Sequence, residues 1–117
     1  MASPTGPFRP ADRLLRSADF ERVLREGTRI AVGEFVLMAA PGEGERRRLG
    51  LTVGKRVGNS VRRYAVKRRV REWFRANRCK LPAGTDLVVV GRGGAAQLSG
   101  REIVARLDAA AARQARS

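Results

Sequence analysis

The residues that stand out chemically lie in the stretch VGNSVRRYAVKRRVREWFR, which begins at position 57. Between positions 55 and 78 there are ten basic residues, eight of them arginine, and one acid, Glu72. Guanidinium groups bind phosphate through paired hydrogen bonds and stack on bases. A solvated helix normally mixes charges of both signs, because like charges three or four positions apart destabilise it. The stretch therefore indicates a surface that binds a polyanion.

The same stretch predicts one helix with two different sides. Gly58 and Asn59 predict a turn, followed by a helix from about Ser60 to Asn77. Exposed N–H groups in such a turn lie at the positive end of the helix dipole and favour anions. Apolar residues recur at spacings of three and four, as expected for docking on a sheet: Val66, Val70, Trp73 and Phe74. The cations occupy the rest of the helix.

Residue types that would give the polypeptide its own catalytic chemistry are missing. The chain has no histidine and one cysteine, Cys79, so histidine bases and internal disulfides are excluded. The eleven acids are scattered, whereas two-metal phosphodiester cleavage needs several converging carboxylates. We therefore expect no catalytic residues in the chain, and the sequence leaves any metal site on the protein unknown.

The overall charge narrows the class of partner. The 117 residues include 25 Lys and Arg against 11 Asp and Glu, which gives a net charge of +14. Nucleic acid is the first candidate partner, since neutralising phosphates releases counterions, and an anionic membrane surface is the second. An arginine-rich genome would explain part of the excess. With no apolar run long enough to span a membrane and no signal peptide, we expect a cytoplasmic protein.

The rest of the sequence predicts a single α/β (α+β) domain in two layers, in which helices and strands follow the order α-β-β-β-α-β-α. Ser17 is a candidate cap for a first helix that Gly27 ends, and Ser99 with Glu102 has capping-box spacing before a last helix. Apolar runs predict strands at 34–40, 46–54 and 85–91, with a further short strand at 29–32. The runs at 34–40 and 46–54 suggest an antiparallel hairpin, and 91–100 suggests a flexible loop. We expect a tail at 1–12, a domain at 13–112 and a frayed end at 113–117.

From about Arg13 to Leu107, the sequence resembles the protein subunit of bacterial ribonuclease P. The resemblance rests on RLLRSADFERVLREGTR, on LGLTVGKRVGNSVRRYAVKRRVRE and on GTDLVVVGR. It implies a small α/β sandwich whose basic helix forms a left-handed crossover, against the usual right-handed rule. It also implies an accessory role in removing the 5′ leader of precursor tRNA. The catalyst in this family is an RNA, which is expected to bind most of the magnesium ions.

The resemblance and the charge pattern of the helix together give two sets of site residues. The catalytic RNA is expected to contact the turn and the basic helix at Lys55, Arg56, Gly58, Asn59, Arg62, Arg63, Tyr64, Lys67, Arg68, Arg71 and Arg75. The leader of precursor tRNA is expected in a cleft with Phe20, Phe35 and Met38. Tyr64 and Ala65 depart from the family, which usually has Asn and Arg there, and Tyr64 offers a ring for base stacking instead.

Other classes of function remain open from the residues alone. A ribosomal or general RNA-binding protein would also use the basic helix, although the resemblance along the whole chain does not favour it. A DNA-binding helix would present Asn or Gln to base edges. The predicted outer face offers Arg, Lys and one Tyr, which suits binding to the nucleic-acid backbone.

Overall fold

The computed structural model describes residues 12–14 and 16–116, with side chains through position 114. It contains three α-helices and four strands in the predicted order: α1 Ser17–Glu26, β1 Thr28–Val32, β2 Phe35–Pro41, β3 Arg48–Val53, α2 Ser60–Asn77, β4 Thr85–Gly91 and α3 Gly100–Arg116. Of the predicted tail at 1–12, only Asp12 lies within the described residues. Asp12 is buried, and Arg46 and Arg78 donate to its carboxylate at 2.9 and 3.1 Å.

The four strands form one mixed sheet in the order β1-β2-β4-β3. β2 and β3 are therefore not hairpin partners, and the predicted antiparallel hairpin is wrong. β4 lies between them, antiparallel to β2 and parallel to β3. Leu87, Val88 and Val89 are fully buried, so both faces of β4 are covered by other parts of the domain. The connection from β3 to β4 runs through α2, and its left-handed sense stays a prediction.

Helices cover both faces of the sheet. Successive side chains of a strand point to opposite faces, and β2 follows this rule. Phe35 and Leu37 join the core beneath α2 and α3. Val36 and Met38 join a smaller core beneath α1. The two helices α2 and α3 therefore share one face of the sheet, and α1 lies on the other.

The helix ends test three sequence expectations. The N-cap of α1 is Arg16, without a side-chain cap, so the prediction that Ser17 caps the helix is wrong. Gly27 ends α1 as predicted, and its N–H donates to the carbonyl of Val23 at 2.8 Å. The capping box of α3 is confirmed: Ser99 N donates to Glu102 Oε1 at 2.9 Å, and Glu102 N to Ser99 Oγ at 3.1 Å.

Two segments are more regular than the sequence suggested. α3 continues to Arg116, into the segment 113–117 where we expected fraying, and the fraying itself stays a prediction. The side-chain amide of Gln114 donates to the carbonyl of Thr28 at 2.6 Å and attaches this end of α3 to β1. The predicted loop at 91–100 contains a short 3-10 helix, Ala95–Gln97, and Ala95 is fully buried.

A buried carboxylate ties α1 to the sheet. Asp86, at the start of β4, is fully buried and accepts two hydrogen bonds from Arg48 of β3, both at 2.8 Å. Arg22 of α1 donates to the same carboxylate. The hydrogen bonds to Asp86 raise the pKa of the Arg48 guanidinium. A buried carboxylate is tolerated where such charged partners satisfy it.

Candidate RNA interface

The orientation of α2 is fixed by its apolar side. Val66, Val70, Trp73 and Phe74 are buried against the sheet and α3, as the spacing predicts. The indole N–H of Trp73 donates to the carboxylate of Asp108 on α3 at 2.9 Å. Because a buried indole N–H needs a partner, this bond holds the helix in one rotation about its axis. The cationic side of α2 therefore faces away from the core.

The basic residues of α2 surround three sides of the helix. On the outermost side, which we call the crest, Arg68 and Arg75 are exposed together with Tyr64. Lys67 and Arg71 are half-buried on the side nearer to β3. On the crest, Arg68 Nε forms an ion pair with Glu72 Oε1 at 3.1 Å. The predicted residues thus form a continuous cationic surface with a single carboxylate on the helix.

The flanks of α2 carry the other predicted cations. Arg62 is exposed, and Arg63 is half-buried with its Nη2 3.4 Å from Ser60 Oγ. The Nε atom of Arg63 is buried without a hydrogen-bond partner. A bound phosphate oxygen would satisfy such a donor if the side chain turned outward.

The turn before α2 is built as the sequence predicts. Gly58 has a positive φ of 152°, and a Cβ at this position would lie 3.1 Å from the Cβ of Arg62. Asn59 caps the helix, since its Oδ1 accepts from the N–H of Arg62 at 2.9 Å. The cap occupies one of the backbone donors that a phosphate would otherwise use. Lys55 and Arg56 lie exposed on a 3-10 turn, Lys55–Val57, just before it.

Two further cations border this surface and were not singled out from the sequence. Arg92 follows β4 and is exposed, and the adjacent Gly93 lies beside the backbone of Arg56. Arg13 is exposed at the outer edge of β3, where it forms a bridge with Leu49. Arg92 could have been recognised as a candidate from the sequence, because Arg-Gly-Gly directly follows a strand that is predicted to be buried. Arg13 becomes a candidate only once its position beside β3 is known.

Phe20 lies at a small hollow beside the cationic surface. This β3-edge hollow has a volume of about 170 Å³ and is lined by Arg13, Leu14, Phe20, Leu49, Leu51, Lys67 and Arg71. The ring of Phe20 packs over Gly50, where an added Cβ would lie 2.6 Å from its Cζ atom. An aromatic ring and two cations of α2 therefore meet at one edge of the sheet.

The other two residues of the expected leader cleft occupy different positions. Phe35 is fully buried on the opposite face, beneath α2 and α3, so its assignment to a cleft shared with Phe20 is wrong. Met38 lies on the same face as Phe20 but is 6% exposed and packs with Val23 and Val88. Met38 therefore packs in the smaller core between the sheet and α1, and it offers little surface to a ligand.

The described residues contain no group of three or more His, Cys, Asp or Glu side chains that could hold a metal ion. No helix in the described ranges is long and apolar enough to cross a membrane.

Comparison with known proteins decides the family. The sequence model described as Ribonuclease P matches residues 8–115. The chain belongs to the ribonuclease P protein family. The "Ribonuclease P protein component" of Syntrophobacter fumaroxidans is 44% identical over 101 residues, covering 86% of this chain and 85% of that protein. The protein of the same name from Shouchella clausii is 40% identical over 97 residues, covering 82% and 80%.

Solved structures agree with this assignment. The ribonuclease P protein of Staphylococcus aureus superimposes with a TM-score of 0.79 at 31% identity, covering 85% of this chain and 91% of that one. The protein of Thermotoga maritima gives a TM-score of 0.77 at 30% identity, covering 86% and 96%. Membership of the ribonuclease P protein family confirms the predicted fold class, and it implies an RNA partner.

Proposed function

We propose that this chain is the accessory subunit of ribonuclease P, which binds the catalytic RNA and helps it remove the 5′ leader of precursor tRNA. The observation that carries the proposal is the two-sided helix α2 in a member of the ribonuclease P protein family. One side is buried through Val66, Val70 and Phe74. The remainder is cationic, and Glu72 is its only carboxylate.

The catalytic RNA would bind along α2 and the turn before it. Lys67, Arg68 and Arg71 present charge over about one turn of the helix, and the turn adds Lys55 and Arg56. Contacts of this kind fix the register of a protein on nucleic acid without reading its sequence. They also make affinity depend steeply on salt, since each neutralised phosphate releases counterions.

The leader would bind at the β3-edge hollow. A single-stranded leader exposes its bases, and bases stack on aromatic side chains such as Phe20. Lys67 and Arg71 line the same hollow and offer charge to the adjacent phosphates. The leader would then lie between the protein and the catalytic RNA, which explains how one small domain can assist cleavage without a catalytic residue of its own.

Magnesium ions would be bound mainly by the RNA. The described residues offer no cluster of acidic ligands, whereas RNA phosphates bind such hard cations readily. By neutralising phosphates near the cleavage site, the protein would lower the magnesium concentration that the reaction needs. The cytoplasm, where tRNA precursors are processed in bacteria, is the expected location.

The proposal is tested by binding to a bacterial ribonuclease P RNA over a range of salt. The double variant K67E/R71E should bind more weakly, and its plot of log affinity against log salt should be flatter by about 1.4 to 1.8, the value for two lost phosphate contacts. The control is R25E/R29E, which makes the same change of charge at exposed positions on α1 and β1. Equal losses in both variants would contradict a specific role for α2.

A further inference from the structure

Exposed apolar side chains are concentrated around α2. In the described part of the chain, four large apolar residues are exposed: Leu24, Val61, Tyr64 and Val104. Val61 and Tyr64 are adjacent on the crest of α2, with 78% and 62% of their surface exposed. Val104 lies on the neighbouring helix α3. Packing in this domain gives no reason for an exposed valine and an exposed tyrosine on a helix that is otherwise so strongly charged.

The two crest residues border one depression. This crest hollow, of about 350 Å³, is lined by Val61, Tyr64, Ala65, Arg68, Arg69 and Glu72. Ala65 has the smallest side chain of the six and leaves room between the larger ones. Arg68 is held at the rim by its hydrogen bond to Glu72 at 3.1 Å. The hollow therefore combines an apolar lining with a positively charged border.

Arg69 joins the crest hollow to a second depression between α2 and α3. That depression, which we call the seam, is lined by Arg69, Ser99, Gly100, Arg101, Val104, Ala105 and Asp108. The guanidinium of Arg69 lies over Gly100, where an added Cβ would be 2.9 Å from its Cζ atom. Arg101 is exposed at the same seam. Two cations thus lie beside the apolar hollow, on the side away from Lys67.

We infer that an unpaired nucleobase of the partner RNA stacks on Tyr64 in the crest hollow, while an adjacent phosphate is bound by Arg69 and Arg101 at the seam. The inference rests on the proposed function and adds a site on the α3 side of the helix. Base stacking on an aromatic ring tolerates any sequence, because every base has a π-face. The contact would accordingly fix the position of the RNA without selecting a sequence.

Charge complementarity favours RNA over a protein partner at this surface. The hollow is small, and its apolar residues are separated by arginines rather than forming a continuous patch. Cations that lie among the apolar residues favour a partner that carries negative charge next to an apolar surface. An unpaired nucleotide matches the observed arrangement instead, since it presents an apolar ring beside an anionic phosphate.

The test uses the full chain bound to a bacterial ribonuclease P RNA. Tyr64→Ala should raise the Kd roughly 5- to 100-fold, as expected for the loss of one base stack. Tyr64→Phe should stay within about twofold of the unaltered protein. Neither variant should change the slope of affinity against salt, because no charge is removed. Arg69→Gln should reduce that slope by about 0.7, the value for one single-stranded phosphate contact.

Ultraviolet cross-linking reports on the contact itself. Cleavage after Arg63 and Lys67 by trypsin gives a peptide of residues 64–67 in which Tyr64 is the only aromatic residue. A nucleotide adduct on this peptide is the expected result. The matched control is Leu24→Ala, which removes another exposed apolar side chain, on α1, and should bind the catalytic RNA normally.

The outcomes separate the inference from the proposed function. If the unaltered protein binds the RNA but Tyr64→Ala binds equally well, or peptide 64–67 carries no adduct, the stacking site is disproved and the proposed function stands. If the unaltered, folded protein does not bind the RNA at all, both are disproved. A loss seen with Tyr64→Ala and not with Tyr64→Phe, together with the adduct, supports the inference.

Discussion

Phe20 and Lys67 line one hollow from opposite faces of the sheet, across the edge of β3. Phe20 belongs to α1 and packs over Gly50, whereas Lys67 belongs to α2 on the other face. Because β3 is the edge strand of the sheet, side chains from helices on its two faces can reach around it to the same hollow. One ligand could therefore contact both the aromatic ring and the cation. This arrangement places the proposed leader site directly beside the helix that is proposed to bind the catalytic RNA.

Replacing Phe20 should reduce the preference for substrates that carry a leader. With Phe20→Ala in the complex with catalytic RNA, we expect affinity for precursor tRNA to fall about 5- to 100-fold relative to leaderless tRNA, the range for one lost base stack. The measurement is the ratio of the two dissociation constants, taken well below the melting temperature. Leu24→Ala, on the same helix, is the control and should leave the ratio intact. An unchanged ratio for Phe20→Ala would rule out this hollow as the leader site.

Asn59, the N-cap of α2, can be replaced in one way that changes the stability of the protein and in another way that changes its RNA binding. Asn59→Ala should lower the free energy of unfolding by about 1 kcal/mol, because the N–H of Arg62 loses its acceptor. Asn59→Asp keeps an acceptor at the cap and should keep the stability. Its added negative charge should nevertheless weaken RNA binding. Urea denaturation and RNA titration of both variants check this, and normal binding by Asn59→Asp would place the turn outside the RNA interface.

The hydrogen bonds of the buried Asp86 carboxylate, which join α1 to the sheet, should contribute strongly to the free energy of unfolding. Asp86→Asn leaves the guanidinium groups of Arg22 and Arg48 without their charged partner, and we expect a loss of about 3 kcal/mol or more in the free energy of unfolding. Asp19 is the matched control, since it lies 3.7–3.8 Å from the same two arginines but is partly exposed. Asp19→Asn should cost less than about 1 kcal/mol. Comparable losses at the two positions in denaturant unfolding would contradict this account.

The ion pair between Glu34 and Arg106 should make stability depend on pH in the acid range. The hydrogen bond from Arg106, at 2.8 Å, lowers the pKa of Glu34 below its ordinary 4.5. A lowered pKa in the folded state stabilises the protein above the ordinary value, and the contribution is lost as pH falls through the lowered one. At pH 7, the unaltered protein should therefore be more stable than Glu34→Gln, by less than about 1 kcal/mol because the pair is partly exposed to solvent. This difference in unfolding free energy should vanish as the pH falls below 4.5. A difference that stays constant down to pH 3 would exclude this pair as its source.

The sequence predicted the elements that depend on local patterns. α2 has the predicted bounds, Ser60–Asn77, because a capped turn and a regular apolar spacing determine it within a few turns of chain. β4 also matches at 85–91. The neighbours of each strand depend on contacts between distant segments, which is why the β2–β3 hairpin was wrong and β4 was not recognised as central. The length of α3 was underestimated, although an alanine-rich end favours a helix.

In the candidate site, too, the features set by local patterns were predictable, and those set by contacts between distant segments were not. The basic residues of α2 could be grouped from their spacing alone, and the structure keeps them together on one surface. Phe35 and Met38 are separated by three positions on one strand, so their side chains had to point to opposite faces. That odd spacing was readable in advance. Which of the two shares a face with Phe20 depends on the placement of α1, and the sequence does not determine it.

The most direct test of the central claim is reconstitution with a bacterial ribonuclease P RNA and a precursor tRNA at a magnesium concentration where the RNA alone is nearly inactive. The account predicts that the unaltered protein restores removal of the 5′ leader at the correct position. It predicts that K67E/R71E restores it only weakly, while R25E/R29E behaves like the unaltered protein. No stimulation by a protein shown to be folded, at any ratio of protein to RNA, would contradict the account.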